Sequence, residues 1–193
     1  MAIHPAAFQR GNEFDGKVAR ENELAVFGRD GKGVAVKAQS DAAFLVMDGK
    51  PLYDQPTLAF AAYIYTPLYY YTAAIVSSLT GLSPWPLRLV SFVASLVALT
   101  MIFLLVRRET QSRTAALLAA GLFAATFRLG GAWFDLARVD SLSLAFFLMG
   151  LVVVRSRRTV WAAGVAGLLF VLAFQTKQVA ALMTFPVIVW AVA

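Results

Sequence analysis

The chain has no cysteine and a single histidine, His4. Disulfides and cysteine metal sites are thereby excluded, and a histidine-based metal centre has nothing to be built from. Charge is scarce as well, at 15% of residues against about a quarter in soluble domains. The first forty residues lack the basic stretch followed by an apolar run that marks a secretory signal. They also contain no segment long enough to cross a bilayer. There is no internal repeat and no low-complexity tract. A glycine-rich stretch, Gly28-Arg29-Asp30-Gly31-Lys32-Gly33, lacks the Gly-Lys-Ser/Thr ending of a phosphate loop. It reads as the turn of a small hairpin between Ala25–Phe27 and Val34–Val36.

What the chain has in excess is apolar residues, 60% of its 193, with a mean hydropathy of +0.69. This composition predicts an integral membrane protein. In a soluble protein the net charge of +6 would point to nucleic acid. Here the arginines sit at the ends of apolar runs, where orientation in a membrane accounts for them and no nucleic acid is implied.

A bilayer core of about 30 Å needs roughly 20 apolar residues in a helix. Five runs approach that length. The first goes from Leu87 to Val106 and stops at Arg107-Arg108. The second starts after Arg113 and reaches about Trp133, with Arg128 near its far end. The third, from Ser141 to Val154, ends in Arg155-Ser156-Arg157-Arg158. The fourth spans Val160 to Phe174, and the fifth Val179 to Ala193. The arginine-rich connections are separated by two spans and so share a side, which the positive-inside rule makes cytoplasmic. The segments Phe134–Asp140 and Gln175–Gln178 are then external.

Ahead of these runs stands Tyr63-Ile64-Tyr65-Thr66-Pro67-Leu68-Tyr69-Tyr70-Tyr71. Tyrosine, with an apolar ring and a hydroxyl that needs a polar partner, concentrates at the membrane–water boundary. The cluster therefore reads as an aromatic anchor, and Thr66–Leu79 as a helix lying in the external interface. The expected fold is all-α: a polytopic membrane helical bundle of about five transmembrane helices plus an external interfacial helix. Residues 1–40 form a polar segment that does not span, and residues 41–193 form the membrane domain.

Charges beside the hydrocarbon layer are costly unless paired or facing water, so each is a candidate site residue. On the inferred external side these are the loop from Asp41 to Gln55, the pair Arg138 and Asp140, and Lys177 with its flanking glutamines. Each also has a plain structural reading. Arg138 and Asp140 end helices and pair with each other or with Asp135, Lys177 snorkels from a helix end, and Arg88 anchors at the interface after a Trp85-Pro86 turn.

Several of these segments recur together, in order and at similar intervals, in one group of proteins. They are Gly49-Lys50-Pro51-Leu52-Tyr53, Tyr65-Thr66-Pro67-Leu68-Tyr69-Tyr70, Arg88 opening a span, Ala137-Arg138-Val139-Asp140 opening another, and Thr176-Lys177-Gln178. From about Asp41 to Ala193 the chain resembles the membrane glycosyltransferases of the C-type fold, in the branch of protein O-mannosyltransferases and the lipid A aminoarabinose transferase. The resemblance implies an enzyme of the bacterial inner membrane that moves a sugar from a polyprenyl-phosphate lipid to a lipid, glycan or protein acceptor at the external face. It assigns Asp41 and Asp140 to catalysis, and Arg88, Arg138, Lys177, Gln178 and Tyr69 to the substrate. It names no metal ligand and leaves cofactors open. The mechanism would be an inverting displacement, with a carboxylate as general base and cations on the departing phosphate.

The family places a transmembrane helix before its first-loop carboxylate, and that carboxylate stands further ahead of the glycine motif than Asp41 does. Family members also continue beyond the point where this chain ends. The 193-residue chain therefore reads as an N-terminal fragment, expected to be inactive alone. The rival readings are a transporter or flippase subunit, whose intramembrane charges would mark a substrate path, and a non-catalytic fragment that keeps only the fold. Clustering of the charges at one membrane face, without inverted repeats, favours the enzyme over the carrier.

Overall fold

In the computed structural model the described residues are 45–49, 52–53, 65–81, 84–129, 138–156 and 159–192, all within the compact unit Gln39–Ala193. Asp41 and the expected hairpin at 25–36 lie outside them. Six helices of a full turn or more run through the described residues, and no strand occurs among them. They are α1 (Leu68–Thr80), α2 (Pro84–Thr110), α3 (Arg113–Leu129), α4 (Val139–Ser156), α5 (Val160–Thr176) and α6 (Ala180–Val192). Each of the five apolar runs thus coincides with a helix. Two of them, Trp85–Thr110 and Val139–Ser156, are long and apolar enough to cross a membrane, while those in α3, α5 and α6 are apolar but shorter.

Local chemistry sets most of the boundaries. Pro84 and Pro86 occupy the first turn of α2, where a missing N–H costs no helical hydrogen bond. Trp85-Pro86 is therefore inside the helix, not in a turn ahead of it. The two-residue link Gln111-Ser112 reverses the chain between α2 and α3. Gln111 takes a φ of 55°, and the Ser112 hydroxyl accepts from the Ala115 N–H at 3.2 Å, capping α3. Thr159 caps α5 in the same way, accepting from the Ala162 N–H at 3.2 Å. Lys177, extended at φ −155°, ψ 125°, ends α5 while its N–H still donates to the Ala173 carbonyl at 3.0 Å. A short turn then starts α6.

The α4 helix lies at the centre, packed chiefly on α2 and α5 and touching α6, while α3 packs on α2, and α1 on α2 and α5. Small side chains fill the contacts: Ala98, Ala166, Ala173 and Ala180 are nearly fully buried around Phe147, Leu148 and Phe170. The Phe147 and Phe170 rings meet at 5.8 Å. Gly150 is what lets them do so, since a Cβ there would stand 2.7 Å from the Phe170 ring. Serines join the helices. The Ser95 hydroxyl lies 3.0 Å from that of Ser141, and the Ser143 hydroxyl donates to the Ala173 carbonyl at 3.0 Å. Large apolar residues face outward instead, among them Leu122, Trp161, Leu182 and Phe185, each at least 70% exposed. Small and hydroxylic residues inside with large apolar ones outside is the arrangement that lipid favours and water does not.

At 13 residues and about 1.5 Å per residue, α1 is about 20 Å long, too short to cross a bilayer core. The tyrosine cluster does not act as one anchor. Successive helix positions turn by about 100°, so Tyr69 and Tyr70 point inward at 0% and 1% exposure while Tyr71 points out. The outward stripe is Tyr71, Ile75 and Leu79, spaced four residues apart.

Candidate functional site: one carboxylate between two cations

Asp140 stands in the first turn of α4, where the positive end of the helix dipole favours a carboxylate. One of its oxygens accepts from the Arg138 Nε at 3.0 Å, and the other accepts a short bond from the Lys177 ammonium. The three side chains are only 21–24% exposed. Arg138 comes from the chain just before α4, and Lys177 from the residue that ends α5. The α4–α5 contact thus brings together charges 37 residues apart in sequence. Two cations thus share the two oxygens of one carboxylate at the edge of an apolar bundle.

Hydroxyls and carbonyls hold the cluster in place. The Ser91 hydroxyl on α2 accepts from the Arg138 N–H at 3.2 Å and lies 3.1 Å from its carbonyl oxygen. It therefore anchors the backbone of Arg138 whichever way its proton points. Tyr69 buttresses Ser91. Its hydroxyl lies 3.3 Å from that of Ser91 and 3.1 Å from the Leu87 carbonyl, and burial holds the phenol well above its ordinary pKa. On the other flank the Lys177 ammonium sits 5.6 Å over the Tyr65 ring, a cation–π arrangement. The Tyr65 carbonyl accepts from the Tyr53 hydroxyl at 2.6 Å, and the Thr66 hydroxyl donates to the Phe174 carbonyl at 2.9 Å, tying the entry of α1 to the last turns of α5.

The structure therefore unites Arg138, Asp140 and Lys177 and leaves the other expected residues around them. Gln178 is exposed in the turn beside Lys177, and Arg88 is exposed on α2, one helical turn before Ser91. Tyr69 is buried and reaches the cluster only through Ser91. Its place is that of a support. Asp41 is outside the described residues. Sequence reasoning missed Ser91, Tyr53 and the individual contributions of Tyr65 and Thr66. A serine one turn into an apolar span was a usable signal for the first, and the Tyr-Thr-Pro sequence for the last two. Among the described residues, no three of histidine, cysteine, aspartate and glutamate come together as a metal site.

Residues 58–193, well over half of the chain, match the dolichyl-phosphate-mannose-protein mannosyltransferase family, and the chain belongs to that family. The matched region contains Arg88, Arg138, Asp140, Lys177 and Gln178. It begins after Asp41 and the Gly49–Tyr53 motif. No curated protein and no solved structure matched the chain.

Proposed function

We propose that the chain acts in transferring a sugar from a polyprenyl-phosphate donor to an acceptor hydroxyl at the external face of a membrane, within a bundle of five spans and one interfacial helix. The family supplies the reaction class: glycosyl transfer from a lipid-linked sugar. The observation that carries the finer reading is the placement of two cations, Arg138 and Lys177, on the one carboxylate of Asp140. Both Asp140 oxygens are committed to those cations. Asp140 therefore sets the spacing of Arg138 and Lys177, and the Lys177 ammonium keeps further N–H donors for the donor phosphate.

In the reaction the acceptor oxygen forms a bond to the anomeric carbon as the bond from that carbon to the phosphate oxygen breaks. The polyprenyl phosphate leaves with the electron pair, and the charge gathering on it is met by Arg138 and Lys177, with Arg88 and Gln178 at the rim. The acceptor proton goes to a carboxylate, a role that falls to Asp41 on the resemblance described above. Neutralising cations already in place need no reorganisation as the charge develops. Family membership also weighs for transfer over transport.

The test is turnover in proteoliposomes with a labelled polyprenyl-phosphate sugar and an acceptor bearing a hydroxyl. Lys177→Ala should raise KM for the donor and lower kcat, since the phosphate is bound in the ground state and gains charge in the transition state. Asp140→Asn should lower kcat with the helical content kept. Unchanged kinetics in both variants would remove the cluster from the site.

A further inference from the structure

At the opposite end of the same helices lies a second ionic group, outside the site just described. The Arg155 guanidinium, at the end of α4, grips Glu109 of α2 with two bonds of 2.8 and 2.6 Å and lies 5.2 Å over the Trp190 ring of α6. These three residues form the mouth of a pocket of about 380 Å³ between the three helices, and its floor is Leu105, Leu151, Pro186 and Val187. Arg108 reaches across to donate to the Ser156 carbonyl at 3.2 Å, and Arg107 and Arg113 are exposed nearby in sequence on α2 and α3. Four arginines thus accompany one glutamate, and Arg157-Arg158 follow in the sequence.

We infer that this pocket binds an anionic phospholipid of the leaflet opposite the Asp140 site. An acyl chain enters between Leu105, Leu151 and Val187, and the headgroup phosphate is held by Arg155 and Arg108. Three features fit that occupant together. The floor is apolar and would be wetted by nothing but hydrocarbon. The rim is cationic beyond what Glu109 neutralises: two of the five guanidinium N–H donors of Arg155 go to Glu109, which leaves donors for a phosphate. The half-exposed Trp190 ring lines the same pocket beside Arg155, and indole rings favour the headgroup region. Basic pockets between membrane helices on the cytoplasmic side are suited to anionic headgroups. The inference rests on the reading of the chain as membrane-spanning and is independent of the transferase reading.

The experiment is native mass spectrometry of the full chain in micelles supplied with phosphatidylglycerol or phosphatidylcholine of matched acyl chains. Phosphatidylglycerol should be retained at least about fivefold better, the effect expected of a single arginine beside an anionic lipid. Arg155→Gln should lower that retention by about fivefold. Val187→Phe, which keeps every charge and fills the floor, should lower it too. Leu79→Ala, on the outward stripe of α1, should leave it unchanged, and excess inorganic phosphate should not displace the lipid. The inference is overturned by equal retention of the two lipids, by full retention in either pocket variant, by loss in Leu79→Ala, or by displacement with phosphate alone.

Discussion

The two ends of the α2–α4 pair carry ion clusters of different design. At one end Asp140 divides its two oxygens between Arg138 and Lys177, and the group is mostly buried. At the other end Glu109 and Arg155 pair off one to one in a two-bond fork, with side chains 42% and 33% exposed. A pair in partial contact with water links the two helices and contributes little to stability, while the Arg155 donors outside the fork stay open to a headgroup. A cluster of low exposure at the edge of an apolar bundle is costly to keep charged unless its members stay paired. The same residue types therefore do different work, and stoichiometry and burial decide which.

The largest break in this comparison should come from Asp140→Ala. Removing the carboxylate leaves two mostly buried cations facing each other, and the loss should be about 3 kcal/mol, the low end for breaking a buried pair. Thermal unfolding in detergent should show a clear fall in Tm. Glu109→Gln, measured the same way, should change Tm little. A larger effect at Glu109 than at Asp140 would invert the comparison.

Next in size is Gly150→Leu, which forces a side chain into the Phe170 ring and should cost about 1–3 kcal/mol. Because α4–α5 contact is what brings Lys177 to Asp140, donor affinity should fall as well. Pairing it with Phe170→Ala should restore part of the Tm. A Gly150→Leu protein as stable as the parent would show that the two helices do not pack as described.

How far the sequence carries the reader also differs between particular elements. Helix α2 was legible because its apolar run matches a bilayer thickness and stops at charges, and α4 because its shorter run ends in a cluster of arginines. The three shorter helices were legible as apolar runs but not in length. Arg138, Asp140 and Lys177 stood out as charges that hydrocarbon does not tolerate. Their union was not legible, since it depends on α5 returning beside α4 and ending at Lys177. Ser91 and Tyr69 were hidden for a different reason. Hydroxyls are cheap to place in many settings, so an interhelical partner leaves no mark on the local pattern. The adjacent tyrosines misled by proximity: helix rotation sends Tyr69 and Tyr71 to opposite sides.

A smaller effect sharpens the account of the supports. Ser91→Ala removes the hydroxyl shared by Tyr69 and the Arg138 backbone and should cost about 1 kcal/mol. Its signature is a weaker donor affinity out of proportion to the small change in Tm. Ser95→Ala, one turn deeper, should change Tm comparably and leave donor affinity alone. Equal donor affinity in the two variants would deny Ser91 its role as a support of Arg138.

Topology is accessible without disturbing any of these contacts, because the chain lacks cysteine. Gln178→Cys should be labelled by an impermeant thiol reagent added outside, and Gln111→Cys should not. The reverse pattern would place the Asp140 cluster on the inner face.

The most direct measurement sets the two ends against each other with one ligand. Binding of polyprenyl phosphate to the detergent-solubilised chain should weaken about tenfold or more in Lys177→Ala, the loss expected for a charge-assisted hydrogen bond of about 1.5–3 kcal/mol. In Arg155→Gln it should be unchanged. Equal affinity in Lys177→Ala and the parent, or a loss confined to Arg155→Gln, would contradict the assignment of the donor phosphate to the Arg138–Asp140–Lys177 cluster.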